Sequence, residues 1–220
     1  MKIKSILTIN LIAAFLFSFP LLVYSQDIKP IKLLAPQLEG GKSLMQALKE
    51  RKSSREFSSK ELSLQAVSDL LWAANGINRP DSGHKTAPSA RNMQEIDIYV
   101  AMAGGLYLFD ARQNMLVPAA GEDIRALTGK QPFVKDAPIN LIYVADLSRM
   151  GKSSGSDADF YAGVDTGFIS ENVYLYCASA GLATVVRGMV DKLELAKAMK
   201  LRPDQKIILA QTIGEPGAQE

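Results

Sequence analysis

The stretch IDIYVAMAGGLYLFD, residues 96–110, decides the fold class. Two runs rich in aliphatic, β-branched and aromatic residues flank the pair Gly104-Gly105, and this pattern predicts two strands joined by a tight turn. The segment INLIYVA (139–145) is continuously apolar, as in a strand covered on both faces of a sheet. ATVVR (183–187) and KIILAQTIGEP (206–216) are predicted as further strands.

Helical patterns lie between these strands. SLMQALKERK (43–52) and SLQAVSDLLWAANGI (63–77) each begin with a serine suited to an N-cap and repeat apolar residues at helical spacing. Asn75-Gly76 is expected to end the second helix in a left-handed backbone. The longest predicted helix is DTGFISENVYLYCASAGL (165–182), which Gly181 is expected to close.

Asp191 and Glu194 have the spacing of a capping box and predict a helix in DKLELAKAMK. GEDIRALTGK is expected to form a short helix, and residues 77–92 and 148–159 are predicted as loops. Helices mixed with hairpin-connected strands indicate an α+β fold, with a mainly antiparallel central sheet flanked by helices.

The first 25 residues are predicted to be a signal peptide. Lys2 and Lys4 precede an apolar run, and VYSQD follows with small residues, so the expected cut is after Ser25. A membrane anchor is the alternative, which Asn10, Pro20 and the limited apolar length disfavour. The sequence therefore predicts export to the periplasm, a lead-in at 26–42 and one domain at 43–220, with no stable membrane span after cleavage.

Composition excludes several classes of function. The net charge of +2 predicts no nucleic-acid partner. One histidine, His84, and one cysteine, Cys177, leave almost no material for a transition-metal site, and Cys177 lies in an apolar helical run that indicates packing. A Ser-His-Asp triad would have to use His84 from a loop, and we do not favour it.

The segment ERKSSREF (50–57) is a candidate anion site. It places Arg51, Lys52 and Arg55 around Ser53 and Ser54. A solvated helix end would explain the cations equally well, because Lys and Arg are common there. Two other segments favour the anion: APSARNMQ supplies an amide at Asn92, and TVVRGMV places a glycine after a strand, where backbone N–H groups can approach a ligand. Together they suit a phosphorylated planar cofactor such as a flavin.

The motifs RKSSREF, PSARNMQ and GLATVVRG together resemble the FMN-dependent nitroreductase family, over about residues 43–216. The resemblance implies a homodimer with two FMN molecules at the subunit interface. It also implies a ping-pong cycle in which a donor, NAD(P)H in most of the family, reduces FMN and a small electron acceptor such as a nitroaromatic or quinone reoxidises it. No catalytic side chain is then required, and none is predicted.

The resemblance implies three groups of FMN-binding residues. The first group is the phosphate segment, the second is a loop that reaches the flavin of the other subunit, and the third is a segment whose backbone lies beside the flavin ring. At Arg187, in the third set, the main-chain N–H is expected to contact the flavin. Its side chain is expected to be solvated or to attract an anionic substrate. The groups are, in order, Arg51, Lys52, Ser53 and Arg55; Pro88, Ser89, Ala90 and Asn92; and Val186, Arg187 and Gly188.

Two departures from the family keep alternatives open. The sequence has no Lys or Arg after Lys206, where a basic segment often completes the phosphate site, so FMN binds more weakly or Lys52 substitutes. Residues 96–116 look like the azoline dehydrogenase branch, but Tyr161 has no adjacent Lys to form that branch's catalytic pair. An exported enzyme also meets little NAD(P)H, so a quinol or a partner protein is an alternative donor. A non-catalytic flavin- or ligand-binding dimer and a purely structural protein are the rival interpretations.

Overall fold

The computed structural model describes residues 28–151 and 156–217, so the predicted signal peptide lies outside the described residues. A seven-stranded sheet forms the centre, in the order β1-β6-β5-β4-β7-β9-β8, and every neighbouring pair is antiparallel. A separate two-stranded hairpin pairs β2 with β3. The strands are β1 (Ile31–Lys32), β2 (Ile77–Arg79), β3 (His84–Lys85), β4 (Ile96–Met102), β5 (Gly105–Asp110), β6 (Met115–Ala120), β7 (Ile139–Asp146), β8 (Ala183–Arg187) and β9 (Gln205–Gly214).

Helices cover both faces of this sheet. α2 and α3 pack on one face, where Leu70 and Val173 meet Tyr143 of β7 in the larger core cluster. α4 covers the other face, where Leu195 packs with Ile142 of β7. All eight residues of β7 are therefore buried, as predicted for a strand between two layers. The helices are α1 (Leu44–Glu50), α2 (Leu64–Asn75), α3 (Ser156–Ala180) and α4 (Lys192–Ala198).

The structure confirms the predicted α+β class and the hairpin that indicated it. β4 and β5 pair from Tyr99 opposite Leu108 to Met102 opposite Gly105. Gly105 has a φ of +131°, a backbone conformation that favours glycine. The predicted caps are also present, because the side chains of Ser43, Ser63 and Asp191 each accept a hydrogen bond from the first turn of their helix.

The end of α2 differs from the prediction. Gly76 is extended, with φ −73° and ψ 160°, rather than left-handed. A Cβ atom at this position would lie 2.5 Å from Cδ1 of Trp72 and 2.7 Å from its carbonyl oxygen. Glycine is therefore needed here for close approach to Trp72, whereas Gly181 ends α3 with the expected positive φ of 74°.

Several predicted loops contain regular structure. α3 begins at Ser156, nine residues before the predicted start, and a 3-10 turn spans Leu147–Met150. Residues 77–92 include β2 and β3, and the lead-in contributes β1. GEDIRALTGK forms a 3-10 turn over Arg125–Thr128 rather than an α-helix. Within the described residues, no helix is both long and apolar enough to cross a membrane.

Candidate functional site

The basic segment 51–55 lies against the free edge of the sheet. α1 ends at Glu50, Arg51 is its C-cap, and the chain then runs beside β8, the last strand of the sheet. The N–H of Ser54 donates to the carbonyl of Thr184 at 2.9 Å. Farther on, Phe57 forms a β-bridge with Pro216. The segment is therefore attached to the sheet edge and does not simply extend a helix end into solvent.

Tyr174 of α3 joins this segment to β8. Its hydroxyl lies 2.8 Å from the Ser53 hydroxyl and accepts a hydrogen bond from the Val186 N–H at 2.9 Å. Its ring lies beneath the Arg51 guanidinium, whose central carbon is 5.2 Å from the ring centroid. One side chain thus positions residues from two of the predicted binding groups. Tyr174 could not be predicted as a site residue, because nothing in its helical pattern distinguishes it from a core residue.

The three cations of the segment are available to an anion. Among the described residues, none of Arg51, Lys52 and Arg55 forms an ion pair, although Lys42 close by is paired with Glu50. A cleft of about 450 Å³ opens beside them. Its lining includes Lys52, Ser54, Tyr174 and Thr184, and two carboxylates also line it, Glu56 and the Lys42-paired Glu50. An unpaired lysine and a serine hydroxyl in the lining, with two unpaired arginines on the same segment, suit a phosphate group.

The main-chain groups of β8 alternate between the neighbouring strand and the free edge. The Thr184 carbonyl and the Val186 N–H point to the free edge, where Ser54 and Tyr174 bind them. Arg187 lies opposite Ala210 of β9, one residue after Val186, so its main-chain groups point toward β9. The free-edge position after Val186 is therefore the exposed Gly188, whereas the alternation directs the Arg187 N–H toward β9.

The Arg187 side chain is not solvated, contrary to the prediction from the sequence. Only 4% of the residue is exposed, and its guanidinium is held by neutral acceptors on the α4 side of the sheet. It donates to the Thr212 hydroxyl at 3.0 Å, the Thr128 carbonyl at 2.6 Å and the Asn140 side chain at 2.9 Å. Burial lowers the pKa of Arg187 to about 10. This side chain stabilises the sheet and does not present a charge to an anionic substrate.

The second predicted group lies apart from the cleft within one chain. Residues 88–92 precede β4, and Asn92 is exposed beside a different groove of about 680 Å³ that Gln94 and Lys85 also line. The loop has an unusual backbone, since φ is 53° at Arg91, 54° at Asn92 and 49° at Gln94. Of the three predicted groups, the structure thus brings together the first and the third.

Other candidate chemistry finds little support in the described residues. Those residues contain no group of three or more His, Cys, Asp or Glu placed to hold a metal ion. Cys177 is fully buried, and burial raises the pKa of its thiol well above the usual range, consistent with packing. Tyr161 is half-buried on α3, and residues 152–155, where Lys152 occurs, lie outside the described part of the chain.

Sequence comparison assigns the family. A model of the nitroreductase family matches residues 48–215. The chain belongs to the nitroreductase family. A Methanocaldococcus jannaschii protein whose name places it among the nitroreductases is 30% identical over 182 residues, which cover 78% of this chain and 91% of the relative.

Solved nitroreductase structures share the fold. A crystal structure from Ralstonia eutropha JMP134, also named as a nitroreductase, has 42% identity and a TM-score of 0.83, and covers 86% of this chain and 90% of its own. The NADPH:FMN oxidoreductase of Vibrio harveyi, complexed with NAD⁺, has 16% identity and a TM-score of 0.60. The match covers 80% of this chain and 69% of the Vibrio chain. At that identity the second structure supports the fold alone.

Proposed function

We propose that this nitroreductase-family protein is an FMN-dependent oxidoreductase. In the proposed ping-pong cycle, a reduced donor delivers electrons in one half-reaction and a nitroaromatic, quinone or similar small acceptor removes them in the other. FMN would supply the hydride chemistry when bound, and the protein would bind and orient it. Family membership supports an oxidoreductase, and the site geometry supports the cofactor.

The observation that carries this proposal is the set of unpaired cations beside the cleft. Arg51, Lys52 and Arg55 would bind the FMN phosphate, and the Ser53 hydroxyl would donate to it. Tyr174 fixes the position of this segment through its contacts with Ser53 and Arg51. The phosphate would therefore meet side chains that are already oriented, which reduces the entropic cost of binding.

The edge of β8 would hold the flavin ring. Its main chain offers a free-edge position at the exposed Gly188, where no side chain obstructs approach. Val186 contributes a partly buried side chain and an N–H that Tyr174 already binds. A backbone N–H donor at Gly188 would stabilise negative charge that develops on the reduced flavin ring.

A homodimer would complete the site. Pro88, Ser89, Ala90 and Asn92 do not reach the cleft of their own chain, so their proposed contact with FMN requires a second subunit. α3 offers a surface for that subunit, because Phe160 is 64% and Phe168 45% exposed. Gly163 and Gly167 lie on the same stretch with open space around them, which would allow another helix to approach closely.

The electron donor and the location are proposed together. NAD(P)H is proposed as the donor because the chain belongs to the nitroreductase family, whose members mostly use it. The signal-like residues 1–25 support export to the periplasm. In that compartment a quinol or a partner protein would replace NAD(P)H as the donor.

The spectrum of the purified mature protein tests the cofactor. Yellow protein that releases FMN on denaturation supports the proposal, and protein that stays colourless after FMN is added refutes it. Anaerobic reduction followed by a nitroaromatic or quinone then tests turnover. Repeated reoxidation supports an enzyme, whereas stable reduced protein indicates the non-catalytic binding dimer.

Arg51→Ala tests the phosphate site directly. Loss of one charge-assisted hydrogen bond should weaken FMN binding by about 1.5–3 kcal/mol. The matched control is Lys49→Ala, which removes an exposed cation from the last turn of α1 and should leave affinity unchanged. FMN affinity is measured by flavin fluorescence titration. Equal affinity in the wild type and Arg51→Ala would show that segment 51–55 is an ordinary solvated surface and does not bind the phosphate.

A further inference from the structure

Two carboxyl groups are buried beneath the loop that precedes β4, and the proposed flavin chemistry uses neither. Glu95 directly precedes β4 and is 0% exposed, and Asp165 of α3 is 2% exposed. One oxygen of Asp165, Oδ2, accepts a hydrogen bond from the Ala90 N–H at 2.8 Å. Asp165 is therefore attached directly to the loop that carries Ser89 and Asn92.

Glu95 lacks a donor for its carboxyl group. Within the described residues, neither of its side-chain oxygens has a hydrogen-bond partner. The Asp165 carboxyl is near enough for its charge to raise the pKa of Glu95, but an ionised carboxylate is itself only an acceptor. The two groups can bond to each other only if one of them carries a proton. Burial, together with the negative charge of Asp165, raises the pKa of Glu95 to about 7.

The surrounding charges do not compensate an ionised Glu95. Lys85 of β3 contributes a positive charge nearby, but burial lowers the pKa of this lysine, and the lysine donates no hydrogen bond to Glu95. Arg149, which follows β7, is ion-paired with Asp97 of β4. Asp165 supplies a second negative charge from α3. Proton loss from Glu95 would therefore place two carboxylates side by side in a buried space.

The loop above this pair needs external support. Arg91, Asn92 and Gln94 are all left-handed although none is glycine, and such residues persist only where contacts hold them. Two contacts do so at the start of the loop. The Ser89 hydroxyl accepts from the Gln94 N–H at 3.0 Å, and Asp165 accepts from the Ala90 N–H.

We propose that a protonated Glu95 donates a hydrogen bond to Asp165, and that this bond positions residues 88–94 for the cofactor. The protonated Glu95 carboxyl donates to the free oxygen of Asp165, whose other oxygen accepts from Ala90. When the proton leaves, repulsion separates the two carboxylates, the Ala90 bond weakens, and the left-handed residues relax. Glu95 is thus a positioning residue that acts through Asp165, and its role in cofactor binding rests on the proposed function.

Hydrogen–deuterium exchange in the flavin-free protein tests this device independently of cofactor binding. After correction for intrinsic exchange, protection of peptides that contain residues 88–94 should fall about tenfold or more between about pH 6 and about pH 8.5. Glu95→Gln should remove this dependence, because its amide donates to Asp165 at every pH. The control Asp159→Asn changes an exposed carboxyl on the same helix as Asp165 that already has a cationic partner, Lys206, and it should keep the wild-type profile.

The FMN affinity of the wild type should weaken over the same pH range, and that of Glu95→Gln should not. A pH profile of protection that is flat in the wild type, or identical in Glu95→Gln, overturns the inference. Failure of all variants to bind FMN, with the exchange profiles as expected, would overturn the proposed function alone. If Glu95→Gln does not fold, the infrared band of a protonated carboxyl in the wild type replaces it as the test. The band should disappear as pH rises through neutrality, and a band that does not change with pH would overturn the inference.

Discussion

Tyr174→Phe tests whether one hydroxyl connects the basic segment to the sheet edge. The variant keeps the ring beneath Arg51 and removes the bonds to the Ser53 hydroxyl and the Val186 N–H. A neutral hydrogen bond contributes about 0.5–1.5 kcal/mol, so the two bonds together are worth about 1–3 kcal/mol. Because Tyr174 is only half-buried, water can replace part of this loss, and we expect about 1–2 kcal/mol in the free energy of unfolding.

The assay for this variant pairs urea unfolding with FMN titration. Looser attachment of segment 51–55 should weaken FMN binding about three- to tenfold, which corresponds to about 0.7–1.4 kcal/mol. The matched control is Tyr176→Phe on the same helix, which loses only a 3.3 Å bond to the Ala66 carbonyl, far from the basic segment. Unchanged FMN affinity in Tyr174→Phe, or an equal loss in Tyr176→Phe, would refute the assigned role.

Three further variants test the framework, each by its urea unfolding curve. Arg187→Met leaves the buried Thr128 carbonyl without its guanidinium donor and should cost about 2–4 kcal/mol; no loss would show that the buried cation is dispensable. Gly76→Ala places a methyl group against Trp72 and should cost about 1–3 kcal/mol; a neutral result would mean that Trp72 moves aside easily. Burial raises the pKa of Asp146, but hydrogen bonds from a hydroxyl and a guanidinium outweigh burial and lower this pKa below 3.8. The ionised Asp146 therefore stabilises the fold above that pH, and the stabilisation is lost in acid. Asp146→Asn should therefore be less stable than the wild type at neutral pH, with a difference that shrinks as pH falls below 3.8; a constant difference would contradict this.

Much of the fold was predictable because its signals are local. The apolar residues of β7 and the hairpin of β4 and β5 have the composition of strands, and the structure confirms both. Ser63 caps its helix through a bond to a residue three positions away. The ends of helices were less predictable. Residues 156–164 look polar and flexible, yet they continue α3, where Ala158 and Ala162 are buried by packing that the sequence does not display.

The candidate site was predictable only in part. The cations of segment 51–55 and the glycine after β8 were identified from residue type, and the structure places their segments side by side. Their link, Tyr174, lies more than a hundred residues from Ser53 and has no local signature. The solvated state expected for the Arg187 side chain was wrong because an arginine near a strand end is normally exposed, whereas this side chain emerges on a sheet face that Thr128 and Asn140 cover.

By itself, the sequence determined the class of fold, most of the strands and helices, and the family, because each of these follows from residue patterns within short windows. Tertiary structure alone decided which groups meet. It brought Tyr174 to Val186, buried Arg187 among neutral acceptors, and buried both Glu95 and Asp165 beneath the loop. The physical reason is that a side chain's charge, hydration and partners depend on residues distant in the chain, and only the packed sheet and helices determine those neighbours.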